Sequence, residues 1–310
     1  MTGPLVRALN RDILPTDVGF TLSHEHVYCD FAEATGDPDL RFTDESAILA
    51  DLREAQTRGV QMLVELSTYD MGGSPIRVAQ MCETTGLLVV KGTGWYRSPS
   101  LDAFIGGVEA QALAARAIAD ISDGFAGTEL RAGVLGEIGI TGSKPTPAES
   151  VALDATASAA IATGVGVVAH TDDWLNARSV IDELTRRGVM RPRIMMSHCR
   201  RQDPLTGLLE LADAGMTLSF DQLGHPKRDP VSAVAERICE LVSHGFGSQL
   251  VVSADVGRSS RLRGVGGSGY VEGVHRLLAA LKAMGLSQDL LDGMTTTGPA
   301  RFLAFTGSRG

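Results

Sequence analysis

No apolar run in this 310-residue chain approaches the roughly 20 residues that a membrane-spanning helix needs. The first 26 residues hold no apolar core of the signal-peptide kind. Cysteine is scarce: Cys29, Cys82, Cys199 and Cys239 lie far apart and form no C-x-x-C pair. That excludes a disulfide framework or a zinc knuckle and fits the reduced thiols of a cytoplasmic protein. Basic residues are outnumbered, 28 Lys+Arg against 37 Asp+Glu for a net charge of −9, and they form no long run. This argues against nucleic acid or an anionic membrane as a partner and leaves a small molecule as the expected one. A linker, a low-complexity tract and an internal repeat are all absent, so residues 1–310 are read as a single domain. Beside the small molecule, a second copy of the chain in a homodimer is the other partner considered.

With 44% hydrophobic and 21% charged residues the chain is of ordinary globular composition. Short β-rich runs occur at 19–26 (GFTLSHEH), 60–68, 87–94, 131–139 (RAGVLGEIG), 165–171 (VGVVAHT), 193–199 (RIMMSHC), 216–224 (MTLSFDQLG) and 249–255 (QLVVSAD). Segments of helical period separate them, at 45–57, 74–84, 102–122, 147–162, 174–187, 204–214, 230–244 and 271–284. Thr43 and Thr146-Pro147 read as helix starts, and Gly59, Gly164, Gly188 and Gly215 as helix stops. Eight strand–helix units in a chain of this length predict a (β/α)8 TIM barrel; a doubly wound open sheet is the competing architecture. Placement of ionisable residues favours the barrel. Strand after strand ends in one: His24 and His26, Glu65, Lys91, Glu137, His170, His198, Asp221, Asp255. In a barrel these ends converge on one mouth.

His24 and His26, two apart on a strand, point to the same side. With His170, His198, Glu137 and Asp255 they make four imidazoles and two carboxylates. Two buried carboxylates without counter-charge are costly, and divalent cations remove that cost. The N/O donor set suits zinc first, with manganese, cobalt or iron as alternatives. Six ligands are too many for one tetrahedral zinc with an open position, and fit two metals roughly 3.5–4 Å apart.

The pattern His-x-His, fourth-strand acid, fifth-strand His, sixth-strand His and eighth-strand Asp resembles the amidohydrolase superfamily. More closely it is similar to the phosphotriesterase family, over nearly the whole chain. Supporting stretches are TLSHEHVYCDF (21–31), VELSTYDMG (64–72), GTGWY (92–96), FDQLG (220–224), SADVGR (253–258) and GPARFLAF (298–305). The resemblance implies that His24, His26 and Asp255 hold the more buried metal, His170 and His198 the more exposed one, and that Glu137 bridges them. Many members carry a carbamylated lysine where Glu137 stands, which places this chain in the Glu-bearing subgroup. Gln222 stands where the lactone-degrading members of the family carry an arginine.

Expected chemistry follows. Two cations would lower the pKa of a bridging water, and Asp255 would be the catalytic proton acceptor. Residues selecting the substrate are expected in the loops after the strands: Trp95, Tyr96 and Arg97, then His225 and Lys227, then Arg258 and Arg261. Tyr96 would hydrogen-bond the substrate oxygen, and Arg258 would clamp a carboxylate, sulfonate or phosphate. The opposing expectation is that another lysine supplies a carbamate in place of Glu137, Lys91 at the end of the third strand being the nearest candidate in sequence. The leading reading is a binuclear hydrolase of a small carboxylic ester or lactone, with promiscuous phosphotriesterase activity. Alternatives are an N-acyl amide hydrolase and, from another class, a non-catalytic ligand-binding protein on the same scaffold.

Overall fold

A computed structural model describes residues 3–306; residues 1–2 and 307–310 of the expected domain lie outside the described residues. Eight parallel strands form one sheet in sequential order: β1 (Thr21–Glu25), β2 (Met62–Glu65), β3 (Leu88–Thr93), β4 (Val134–Ile138), β5 (Val167–Ala169), β6 (Ile194–Met196), β7 (Thr217–Phe220) and β8 (Leu250–Val252). The ends of β8 and β1 meet. The Asp255 amide donates to the His24 carbonyl at 3.2 Å, and the His24 amide donates to Ser253 Oγ at 3.0 Å. Glu25 seals this seam, its carboxylate accepting from Ser253 Oγ (2.6 Å) and from the amides of Ala254 (2.7 Å) and Val256 (2.8 Å). The result is a (β/α)8 barrel. All eight expected strands are present.

Helices cover the outside: α1 (Glu45–Thr57), α2 (Pro75–Thr85), α3 (Ala110–Ser122), α4 (Pro147–Thr163), α5 (Trp174–Arg186), α6 (Leu205–Asp213), α7 (Val231–Ser243), α8 (Glu272–Ala283), α9 (Gln288–Thr295) and α10 (Thr297–Leu303). The helix expected over 102–122 is two, Ser100–Ile105 and α3. Gly106 and Gly107, both in the left-handed region at φ 47° and 84°, break it. The cap of α1 is Asp44, one residue beyond Thr43; its carboxylate accepts from the Ala47 amide. Thr146 and Glu149 complete a capping box on α4.

Inside the barrel, Met62, Val64, Val90, Val134, Val168, Met195 and Val251 make a dry layer, and Phe302 and Leu303 of α10 pack against it. The opposite, C-terminal ends of the strands are polar. Alternation therefore decides what each strand end offers: Val90 faces inward, so Lys91 faces the helices. Two strands break alternation. On β1, Leu22 pairs with Leu63 and Glu25 with Glu65, so Ser23 and His24 together face Val64. On β4, Leu135 pairs with Val167 and Ile138 with Ala169, so Gly136 and Glu137 together face Val168. Each extra residue is a β-bulge, and each brings a polar side chain inward. At Gly136 φ is 104°, and a Cβ would lie 2.6 Å from the Val168 carbonyl oxygen, so only glycine fits.

Candidate metal centre

The structure brings His24, His26, Glu137, His170, His198 and Asp255 together at the C-terminal mouth. His24 Nε2 lies 3.4 Å from Glu137 Oε2 and 3.6 Å from Asp255 Oδ1. His26 Nε2 lies 3.4 Å from Glu137 Oε1 and 3.4 Å from Asp255 Oδ1. His170 Nδ1 is 2.9 Å from Glu137 Oε2 and 3.0 Å from His198 Nε2, which is 3.8 Å from the same carboxylate oxygen. Glu137 Oε1 thus lies nearest His26 and Oε2 nearest His24, His170 and His198, so its carboxylate is in reach of both the His24/His26 and the His170/His198 pairs.

Partners behind the rings fix which nitrogen faces the centre. His24 Nδ1 contacts Ser197 Oγ at 3.0 Å, His26 Nδ1 contacts Ser67 Oγ at 3.0 Å, and His198 Nδ1 meets Asp221 Oδ1 at 2.6 Å. Their Nε2 atoms are left to converge, as ligating histidines require. Asp221, a strand-end acid without an assigned role in the sequence, also accepts the His198 amide at 3.1 Å. Its carboxylate is an orienting partner. Ser67 and Ser197 were not foreseen; Ser67 lies two residues after Glu65 and Ser197 directly before His198, but serine there carries no distinguishing signal.

Residues present fit divalent metal. His24 Nε2 is wholly buried with no hydrogen-bond partner, a cost that a coordination bond would remove. Three overlapping sets of donor atoms each fall within 4.8 Å: His24/His26/Glu137, Glu137/His170/His198 and His24/His198/Asp221. Burial alone would disfavour charge here. Against it, His170 and His24 hold Glu137 well below the usual carboxylate range, and His26, His198 and His24 hold Asp255 low. Burial would lower His24, but Glu137, Asp221 and Asp255 outweigh it and raise it to about 9.

Three non-glycine residues at strand ends, His198, Gln222 and Asp255, hold left-handed backbone at φ 62°, 58° and 55°. Each such conformation costs on the order of 1–3 kcal/mol and persists where surrounding structure over-determines it.

The mouth opens into a cavity of about 900 Å³. Tyr96 lines it, its hydroxyl 3.1 Å from His170 Nε2. Arg258 also lines it, but its guanidinium pairs with Asp37 Oδ2 at 2.6 Å, so the expected anion clamp is already neutralised by the loop after β1. Arg261 is buried and braces the ends of β7 and β8 through the Leu223 and Ala254 carbonyls. Trp95 is a correction. It is wholly buried among core side chains beside Tyr69 and does not reach the cavity, because Tyr96, its neighbour, takes the inward position. Lys91 is likewise away from the centre, its Nζ 2.8 Å from Glu65 Oε2 on the helix side of the sheet. Cys29, Cys82, Cys199 and Cys239 are free thiols.

A family model described as the phosphotriesterase family matches residues 6–303. The chain belongs to the phosphotriesterase family. It is a metal-dependent hydrolase. The phosphotriesterase homology protein of Escherichia coli strain K12 is 29% identical over 284 residues, covering 92% of this chain and 97% of the relative. A crystal structure of that protein, complexed with phosphate in its active site, superposes with a TM-score of 0.86 over 92% of this chain and 99% of the other. A lactonase from Listeria monocytogenes, 25% identical, superposes with a TM-score of 0.88 over 96% and 98% of the two chains. An N-acetyltaurine hydrolase from Dictyostelium discoideum is 25% identical over 277 residues, 85% of this chain and 74% of the relative. Among the described residues no helix is long and apolar enough to cross a membrane.

Proposed function

We propose that the phosphotriesterase-family centre holds two divalent cations, zinc in first place, and cleaves a small carboxylic ester or lactone. The observation that carries this reading is Glu137, whose one carboxylate lies 3.4 Å from the imidazoles of His24 and His26 and 2.9 Å from that of His170. His24, His26, Glu137 and Asp255 would hold one cation and Glu137, His170 and His198 the other. Bound there, the pair would supply a bridging hydroxide at neutral pH and a Lewis acid for the scissile carbonyl.

The chain's own residues supply the rest. Asp255 turns Oδ1 toward His24 and His26 and Oδ2 toward Gln222, so Oδ2 is the oxygen available to take a proton. Tyr96 holds its hydroxyl over His170, positioned to donate to the substrate oxygen. The cavity wall confines a small substrate against both.

A second reading, an N-acyl amide, draws support from relatives named N-acetyltaurine hydrolase. Both share the attack on a trigonal carbonyl, and phosphotriester turnover would be a side activity of the same centre. A panel of lactones, aryl esters, N-acyl amino acids and aryl phosphotriesters, assayed with zinc- or manganese-loaded protein alongside elemental analysis, tests this. Two metal equivalents and a preference of at least tenfold for carboxyl over phosphoryl substrates are expected. A single equivalent, or phosphotriesters as the preferred class, would overturn it.

A further inference from the structure

Of the four histidines, His170 alone is reversed. His24, His26 and His198 keep Nδ1 against Ser197, Ser67 and Asp221 and aim Nε2 at the centre. His170 instead aims Nδ1, at 2.9 Å from Glu137 Oε2 and 3.0 Å from His198 Nε2. Its Nε2 meets the cavity wall, where Asp172 Oδ1 lies 3.4 Å away.

A cation on Nδ1 leaves the imidazole proton on Nε2, and that N–H needs an acceptor in the ring plane. Tyr96 does not supply one. Its hydroxyl is 3.1 Å from Nε2 and 3.3 Å from Nδ1, and an atom lined up with either N–H direction would be far from the other nitrogen. The phenol oxygen thus sits over the ring face, with the two rings at 88°. Asp172 Oδ1 is left as the acceptor for Nε2–H.

Ser67, Ser197 and Asp221 are buried, whereas the Asp172 side chain is 45% exposed and has to be held by other means. Its amide donates to Asn176 Oδ1 at 3.0 Å, and the buried Asn176 donates from Nδ2 to the Ile140 and Gly142 carbonyls at 2.9 and 2.8 Å. Its second oxygen, Oδ2, accepts from the Arg97 guanidinium. The same guanidinium lies 5.2 Å from the centre of the Tyr96 ring. Arg97, expected from the sequence to select substrate, is thus already paired and braces both groups that flank His170.

The geometry points to Asp172 as a positioning residue: held by Arg97, it fixes the tautomer and tilt of His170 as a ligand of the more exposed cation. The inference rests on the two-cation reading of the centre. That cation has Glu137, His170 and His198 as its protein donors, fewer than the other, so it binds second and depends more on the orientation of each ligand.

Calorimetric titration of metal-stripped full-length protein with zinc tests it without substrate. Asp172→Ala should weaken the second equivalent by about 10- to 100-fold and leave the first within about twofold. Asp172→Asn keeps an oxygen to accept Nε2–H and should stay within about threefold of wild type at both equivalents. Arg97→Met removes the brace and should weaken the second equivalent alone. With cobalt in place of zinc, the visible absorption that grows in with the second equivalent should shift in Asp172→Ala and not in Asp172→Asn. Selective weakening of the second equivalent in a protein that turns over no ester or lactone would refute the proposed substrate class and support the positioning role. Equal weakening of both equivalents, no weakening, or an Asp172→Asn protein as poor as Asp172→Ala would overturn the positioning role and leave the hydrolase reading intact. A wild-type protein that takes one equivalent only would overturn both.

Discussion

Gln222 Nε2 donates to Asp255 Oδ2 at 3.0 Å, and both residues hold left-handed backbone at the ends of neighbouring strands. An extended backbone at either position would carry its side chain away from the other. The strain is therefore tied to one contact, which fixes Asp255 with one oxygen toward the histidines and one toward the cavity.

Gln222→Met keeps the side-chain length and removes the donor. We expect kcat to fall about tenfold with KM changed by less than twofold, because the contact orients a reacting group. Steady-state kinetics on the preferred ester check it; a change confined to KM would place Gln222 in substrate binding instead.

Asp255→Asn conserves volume and removes the proton acceptor. Turnover should drop by about 10²- to 10⁴-fold while the thermal transition stays cooperative. Full activity at full metal occupancy would deny Asp255 a catalytic role.

Glu137 carries its carboxylate permanently, whereas a lysine carbamate is lost with the metals. Metal-stripped protein should regain activity with divalent cation alone, in buffer purged of bicarbonate. Lys91→Met should leave metal content unchanged but destabilise the fold by about 3–5 kcal/mol, since it abandons the buried Glu65 carboxylate. A bicarbonate requirement, or metal loss in that variant, would contradict both expectations.

His24 is raised from 6.5 to about 9 in the absence of metal: burial opposes this, and Glu137, Asp221 and Asp255 outweigh it. A folded-state value above the unfolded one contributes stability that is complete below pH 6.5 and lost as pH rises through 9. The melting temperature of metal-stripped protein should fall across that window. Metal affinity should rise across it, because the competing proton leaves. Apoprotein melting that is flat between pH 6 and 9 would refute the shift.

The barrel was legible because each strand is a short apolar run and each helix has a 3.6-residue period, both local properties. His24 and His26 were legible for the same reason: their spacing of two is a statement about one strand. Glu137, His170, His198 and Asp255 lie on or just beyond the ends of four other strands, and their convergence followed once the barrel was inferred. The substrate residues were not legible. Trp95 and Tyr96 are adjacent in sequence, and only the packing of the loop after β3 buries one and offers the other to the cavity. Arg258 looked free until the loop after β1 brought Asp37 to it across 221 positions of sequence.

Local pattern by itself thus determined the eight strand–helix units and the donor chemistry at their ends, because periodicity and residue type need no partner to be read. Tertiary structure alone decided orientation and charge balance. The bulges that aim His24 and Glu137 inward, the Asp221 carboxylate behind His198, and the choice of which arginines are neutralised all depend on distances between residues far apart in the chain. Hydrogen bonds and ion pairs act over a few ångströms, so their partners are set by the fold and not by sequence spacing.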